Sequence, residues 1–164
     1  MEGTGPQVTD EARARVGEVT SRHTFEAVSL RHIKEYLSAT GDWNELHLDE
    51  VAAERSRHGR IVAPALLFQA VCREIIPERD LEPDGQHATL GVEGVTGNAL
   101  FAGQEVELGE PLHIGDVLTM EEKLLSIDEK QGRSGPLAVV TTEETYTKQG
   151  GGLVARTVTT RIFR

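Results

Sequence analysis

The sequence predicts an α+β domain in which a strand-rich half wraps one very apolar helix. Three observations carry this. A run from Ile61 to Cys72 is apolar on nearly every face, with only Gln69 interrupting it. Period-two alternation and Val/Thr-rich runs dominate the chain after about residue 90. Helical patterning precedes that half and does not recur within it, which separates the layers as an α+β plan does.

Residues 1–22 are rich in Gly, Thr, Arg and Glu and poor in large apolar groups, so they read as a flexible N-terminal arm with a helical turn or two around Glu11–Val19. Residues 23–164 read as a single domain. Thr24–Val28 alternates in polarity and suits a short strand. Ser29 then offers an N-cap hydroxyl, and Leu30, Ile33, Tyr36 and Leu37 share one helical face. Gly41 ends that helix, because glycine tolerates a left-handed C-terminal conformation. A polar loop from Asp42 to Glu50 leads to a short helix over Val51–Arg55.

Pro64 sits where its missing N–H costs nothing, at the first turn of a helix. The predicted helix runs from there through Ile76, about 12 residues and roughly 18 Å long. Its apolar faces demand burial on most sides, so it is the expected core helix. Pro77 and residues 78–86 end it. Beyond, Val92, Val95 and Leu100 read as a bent strand broken by Gly91, Gly94 and Gly97. Glu105–His113 and Val117–Asp128 are further strands about the Ile114–Val117 turn. Leu137–Lys148 follows a turn at Gly132–Pro136, and the last strand, Leu153–Phe163, follows Gly150–Gly152. The expected arrangement is an antiparallel meander of about four long strands.

Composition narrows the function. The chain has 164 residues, a net charge of −10 and no run of Lys or Arg. Nucleic-acid binders carry a basic patch, so no nucleic-acid partner is expected, and an anionic lipid surface would repel this chain. The longest apolar stretch falls short of the roughly 20 residues a membrane span needs. The start, Met1–Pro6, lacks the basic and apolar regions of a signal peptide. Cys72 stands alone and cannot form an internal disulfide, which fits a reducing cytoplasm.

The segment Ala39–Ala53 carries the most chemical information. Asp42 and His47 lie five residues apart on a loop that leaves a helix at glycine, flanked by Asn44 and Asp49. A carboxylate and an imidazole so placed can share a water, the imidazole carrying a proton. The same residues also fit an Asx-turn at Asp42 with an exposed loop histidine. Spacing alone leaves both open.

The string Gly41-Asp42-x-Asn44-x-x-His47-x-Asp49-x-x-Ala52 resembles the hydratase motif of the MaoC-like family of (R)-specific enoyl-thioester hydratases and 3-hydroxyacyl-thioester dehydratases. Glu110-Pro-Leu112, Gly115-Asp116-Val-Leu118, Gly132–Leu137, Thr145–Thr147 and Gly152–Ala155 resemble its type I fatty-acid-synthase-like dehydratase branch. The resemblance runs from about residue 24 to the end. It implies a hot-dog fold, a long central helix wrapped by a curved antiparallel sheet, in a homodimer. It implies a hydro-lyase with no cofactor and no metal, acting on acyl thioesters of CoA or acyl carrier protein. Asp42 and His47 would activate the water that adds to C3, Asn44 would orient the loop or the water, and Ala65 or Leu66 would supply the oxyanion-hole N–H. Glu45 stands where the family usually has proline, and Ala65 where it often has glycine.

Further substrate contacts are expected from Glu45, Trp43 and Arg60, the last within an Arg55/Arg57/Arg60 cluster suited either to solvent or to phosphates. Asp42, His47 and Asp49 match no standard zinc spacing. His23, His32, His58, His87 and His113 are scattered and read as surface or structural residues. Cys72 reads as a small core residue. Two other functions fit the same scaffold: conjugate addition of an amine steered by Glu45, and a non-catalytic acyl-binding partner subunit.

Overall fold

The computed structural model describes residues 5–73, 77–80 and 92–164. Five strands, β1 (Val19–Thr24), β2 (Ala99–Leu108), β3 (Leu118–Gly132), β4 (Gly135–Lys148) and β5 (Leu153–Phe163), form one antiparallel sheet in the order β1-β3-β4-β5-β2. Among the described residues four α-helices accompany it: α1 (Asp10–Ala14), α2 (Leu30–Thr40), α3 (Glu50–Arg55) and α4 (Leu67–Val71). Among the described residues no helix is long and apolar enough to cross a membrane.

β3, β4 and β5 form the expected meander, and their boundaries fall close to the sequence reading. β2 does not join it beside β3. It runs along the far side of β5, from Ala99 opposite Phe163 to Leu108 opposite Ala155. Gly109 and Glu110 prolong that contact by donating to the Val154 and Leu153 carbonyls. The strands read separately around Leu100 and Glu105 are therefore one strand, and His113 lies beyond its end. The expected Thr24–Val28 strand lies earlier, at Val19–Thr24. Being an edge strand with mostly exposed side chains, it carries little alternation to read. Residues 25–28 instead tie the chain to the β3 entrance, with Phe25 N–H on Leu118 O and Val28 N–H on Asp116 O.

α2 forms as its sequence dictates. The Ser29 hydroxyl accepts from His32 N–H, Ile33 and Leu37 are fully buried, and Gly41 closes the helix at φ +73°. The core helix differs from expectation. Within the apolar run only Leu67–Val71 is helical, five residues in place of about 12; residues 74–76 of the predicted helix lie outside the described ones. Pro64–Leu66 form a turn, and Cys72 leaves the helix at ψ 53°. Arg73 Nε donates to the Gln69 carbonyl at 2.8 Å, the acceptor that Arg73's own N–H would use in a continuing helix. Burial within the run is one-sided: Ala63, Pro64, Leu67, Phe68 and Cys72 are buried, and Ala65, Leu66 and Ala70 are exposed.

Two hydrophobic clusters lie on the helix side of the sheet. One joins Ile33 and Leu37 of α2 and Leu67 and Phe68 of α4 to Leu118, Tyr146, Val154 and Ala155. The other joins Ala12 to Leu124, Ala138, Val140 and Phe163. The expected flexible arm is therefore docked from Val8 onward: Val8 bridges Val95, Thr9 caps α1, and Ala12 is buried. The bend expected at Gly91 lies outside the described residues.

Candidate active site

The loop after α2 is built by local hydrogen bonds. Gly41 turns the chain in the left-handed region, so residue 42 leaves the helix axis at once. Asn44 Oδ1 accepts from Leu46 N–H at 3.0 Å and caps a short 3₁₀ turn, Glu45–His47. Asp49 caps α3 by accepting from Val51 and Ala52 N–H. The motif's polar residues thus fold the loop on itself and leave Asp42 and His47 to face one another.

His47 is 9% exposed. Its Nδ1 lies 2.6 Å from the Val62 carbonyl oxygen. A carbonyl only accepts, so Nδ1 carries the proton, and the neutral ring keeps its lone pair on Nε2. Nε2 faces Asp42 Oδ2 at 3.7 Å, and the Asp42 side chain is half exposed. That separation is too long for a direct hydrogen bond and short enough for one water to touch both groups. The pair can therefore hold a water and take its proton on nitrogen.

The segment Ile61–Ala63 sets this geometry. Val62 N–H donates to Leu46 O, Ala63 N–H donates to Leu112 O, and His113 Nδ1 lies 2.7 Å from Ile61 O. His113, read from sequence as scattered, is buried and fixed by the same logic as His47, one carbonyl earlier. Its own N–H donates to Asp116 Oδ2, which Lys148 Nζ meets at 3.1 Å. The Glu110–Leu118 resemblance was the signal that could have drawn this turn into the site.

The other expected residues are more dispersed. Ala65 and Leu66 are exposed at the turn before α4, and no group among the described residues accepts from their N–H groups. Trp43 is 65% exposed and does not pack the loop. Glu45 is exposed on the 3₁₀ turn. Arg60 lines a cavity of about 240 Å³ with Glu50, Glu54, Ile61 and His113. A larger cavity of about 890 Å³ opens between α4 and the sheet, lined by Phe25, Met120 and Tyr146 among others. Neither is lined by Asp42 or His47. Cys72 is buried as expected, and burial pushes its thiol up to about 12. No group of three or more His, Cys, Asp or Glu side chains among the described residues is placed to hold a metal.

A curved antiparallel sheet wrapped on α2 and α4 is a hot-dog fold, and solved structures share it. A MaoC-like dehydratase from Rhodospirillum rubrum aligns over 90% of this chain and 91% of its own at 26% identity and TM-score 0.63. A chain of the ChsH1-ChsH2 complex from Mycobacterium tuberculosis aligns over 93% of this chain and 91% of its own, at TM-score 0.72 and 19% identity. Residues 14–157 match the family described as "FAS1-like, dehydratase domain region". The chain belongs to that family, among the MaoC-like dehydratases. A "Probable enoyl-CoA hydratase alpha subunit" of Thermomonospora curvata is 30% identical over 140 residues, covering 82% of this chain and 44% of that protein. The chain therefore spans less than half the length of that relative.

Proposed function

We propose that this chain is a hydro-lyase that interconverts 2-enoyl and (3R)-3-hydroxyacyl thioesters of CoA or acyl carrier protein. The observation that carries the reading is the His47 ring, anchored through Nδ1 on Val62 O with its Nε2 lone pair turned to Asp42 at 3.7 Å. In the hydration direction a water sits between them. Its oxygen bonds to C3, one of its protons passes to His47 Nε2, and the electron pair moves through C2 to the thioester oxygen. The imidazolium then returns that proton to C2, so one water is consumed and the side chains are restored. Asp42 orients the water and stabilises the transient imidazolium. Asn44 shapes the turn that presents His47.

The developing enolate oxygen needs donors, and the free N–H groups of Ala65 and Leu66 serve it, four residues or fewer past the Val62 carbonyl that holds His47. Glu45 and Trp43, exposed beside the pair, contact the thioester arm. Arg60 meets the phosphates of CoA or of a carrier's prosthetic arm. The likeness to a protein named an alpha subunit, and to a two-protein complex, supports assembly with another hot-dog chain. We place a homodimer contact at the outer edge of β2, where Val106 and Leu108 are exposed and the strand edge is unpaired among the described residues.

The test is turnover by the purified chain on enoyl thioesters of CoA and of carrier protein, with the 3-hydroxyacyl product identified by mass. Absence of that product from every substrate refutes the reading. Light scattering on wild type and Leu108→Glu tests the contact: a dimer that the substitution disperses supports it, and a monomeric wild type overturns it.

A further inference from the structure

The inner face of the sheet is not continuously apolar. Directly opposed residues of an antiparallel pair point to the same face. Glu122 on β3 opposes Glu144 on β4, and Glu144 opposes Thr157 on β5. Thr142 opposes Thr159, and Thr159 opposes Gln104. These two rows form a polar belt across four strands. It separates the cluster around Tyr146 and Leu118 from the cluster around Leu124 and Phe163. Thr142, Thr157 and Thr159 are at most 2% exposed. Apolar side chains would fill such positions more cheaply, since a buried polar group gains nothing unless it is bonded.

The belt borders the 890 Å³ cavity, where Gln104, Glu122, Glu144 and Thr159 line it. Glu144 Oε2 accepts from Tyr146 Oη at 2.6 Å and from Thr157 Oγ1 at 3.0 Å. Glu144 Oε1 has no partner among the described residues. Gln69 donates to Gln104, and Gln104 to Thr159, at 2.8 and 3.0 Å. Charges on the lining balance: Glu122 and Glu144 against Arg73 and Arg161. Phe25, Met120 and Tyr146 supply apolar wall. A few convergent polar groups on an apolar wall are the marks of a small-molecule site, and the volume lies in the usual range of such sites. The balanced charge fits a neutral ligand.

α4 links this cavity to the dyad. Its leading turn begins two residues after Val62, and Gln69 within it and Cys72 and Arg73 just beyond its end line the cavity. From Leu66 to Cys72 the chain advances about 9 Å at helical rise. A thioester at the Ala65–Leu66 turn would lay its tail along α4 toward the belt.

Resting on the hydration reading, we propose that the belt recognises the far part of the acyl group, and that this group carries a hydroxyl which donates to Glu144 Oε1. The substrate class is then a hydroxylated acyl thioester, not a plain alkyl one.

The test compares matched pairs of enoyl thioesters of increasing chain length, one plain and one with a terminal hydroxyl, on the purified full chain. A hydrogen bond to a charged group predicts that at one length the hydroxylated member is favoured by roughly tenfold or more in kcat/KM. Glu144→Gln, which keeps an acceptor for Tyr146 and Thr157 but removes the charge, should shrink that ratio. The ratio is read within each protein, so it does not depend on how much of the variant folds. Hydration of a short enoyl thioester with no hydroxyl preference at any length overturns this proposal and leaves the hydration reading standing. A preference that Glu144→Gln leaves intact also overturns it. No 3-hydroxyacyl product from any pair refutes the hydration reading, and the proposal with it.

Discussion

Replacing His47 separates its structural role from the chemical role proposed for it. His47→Ala removes the donor from the Val62 carbonyl and empties a buried site. Leaving that acceptor unpaired costs about 2 kcal/mol, which for a domain of this size lowers Tm by about 4–8 °C. His47→Asn places an amide nitrogen where Nδ1 stands and keeps the bond to Val62 O, so it should recover most of that loss. Neither variant retains Nε2, and both should lose roughly 10²–10⁴-fold in turnover. Asp42 is half exposed and touches His47 only at 3.7 Å; Asp42→Asn should therefore shift Tm by less than about 2 °C and lose activity on the same scale. The assay pairs thermal unfolding with initial rates on an enoyl thioester. If His47→Asn turns over near the wild-type rate, Nε2 is not the base. If His47→Ala melts with wild type, the Val62 bond does not hold the ring.

Gly41→Ala forces a side chain into φ +73° and should cost roughly 1–2 kcal/mol, with a further fall in turnover because Asp42 is the next residue; circular dichroism and rates check both. A Cβ on Gly109 would press into the Leu153 backbone carbonyl, whereas one on Gly103 meets open space. Gly109→Ala should destabilise by about 1–3 kcal/mol in denaturant titration, and Gly103→Ala far less. His113→Phe frees the Ile61 carbonyl and should lower stability by about 1–3 kcal/mol and reduce turnover through His47; unchanged turnover would separate the two histidines. Cys72 titrates near 12 in the fold because burial disfavours its thiolate, against 9.0 unperturbed. The folded state then holds the proton longer than the unfolded one, so this stabilising term is full below pH 9 and declines as pH rises toward 12. Cys72→Ala should flatten that alkaline decline in equilibrium unfolding, and native Cys72 should resist alkylation at neutral pH.

What the sequence made legible follows from where each signal is stored. α2 could be read to its ends because a cap at Ser29, a buried face through Ile33 and Leu37 and a left-handed Gly41 are all local. β4 and β5 could be read because buried residues alternate along them, and β3 because turn signals at Ile114–Val117 and Gly132–Pro136 bound it. β1 and β2 could not be placed as well: both are edges, with side chains mostly in solvent, so nothing in their pattern fixes register or neighbour. The length of α4 is not legible because apolarity on every face does not fix where a helix starts or stops: Ala65, Leu66 and Ala70 are exposed, and the chain leaves the helix at Cys72. Asp42 and His47 were legible as a motif. Their tautomer and spacing were not, since these depend on Val62, fifteen residues beyond His47.

The site's geometry is held by a three-residue segment with no catalytic side chain. Ile61–Ala63 receives hydrogen bonds from His47 and His113 on successive carbonyls, and gives its own N–H groups to Leu46 and Leu112. Four bonds from two loops, one on each side, pin an extended stretch much as neighbouring strands would. A shift of that stretch would move the His47 anchor and the Ala65–Leu66 turn together, since both continue the same backbone. The proposed base and oxyanion donors would therefore keep their spacing while the loop bearing Asp42, tied on through Leu46, follows. This common mounting explains why a carboxylate half in solvent can still face a buried imidazole at a fixed distance. It also ties the 112–116 turn, distant in sequence and anchored by Lys148 on Asp116, to the mounting of the proposed site.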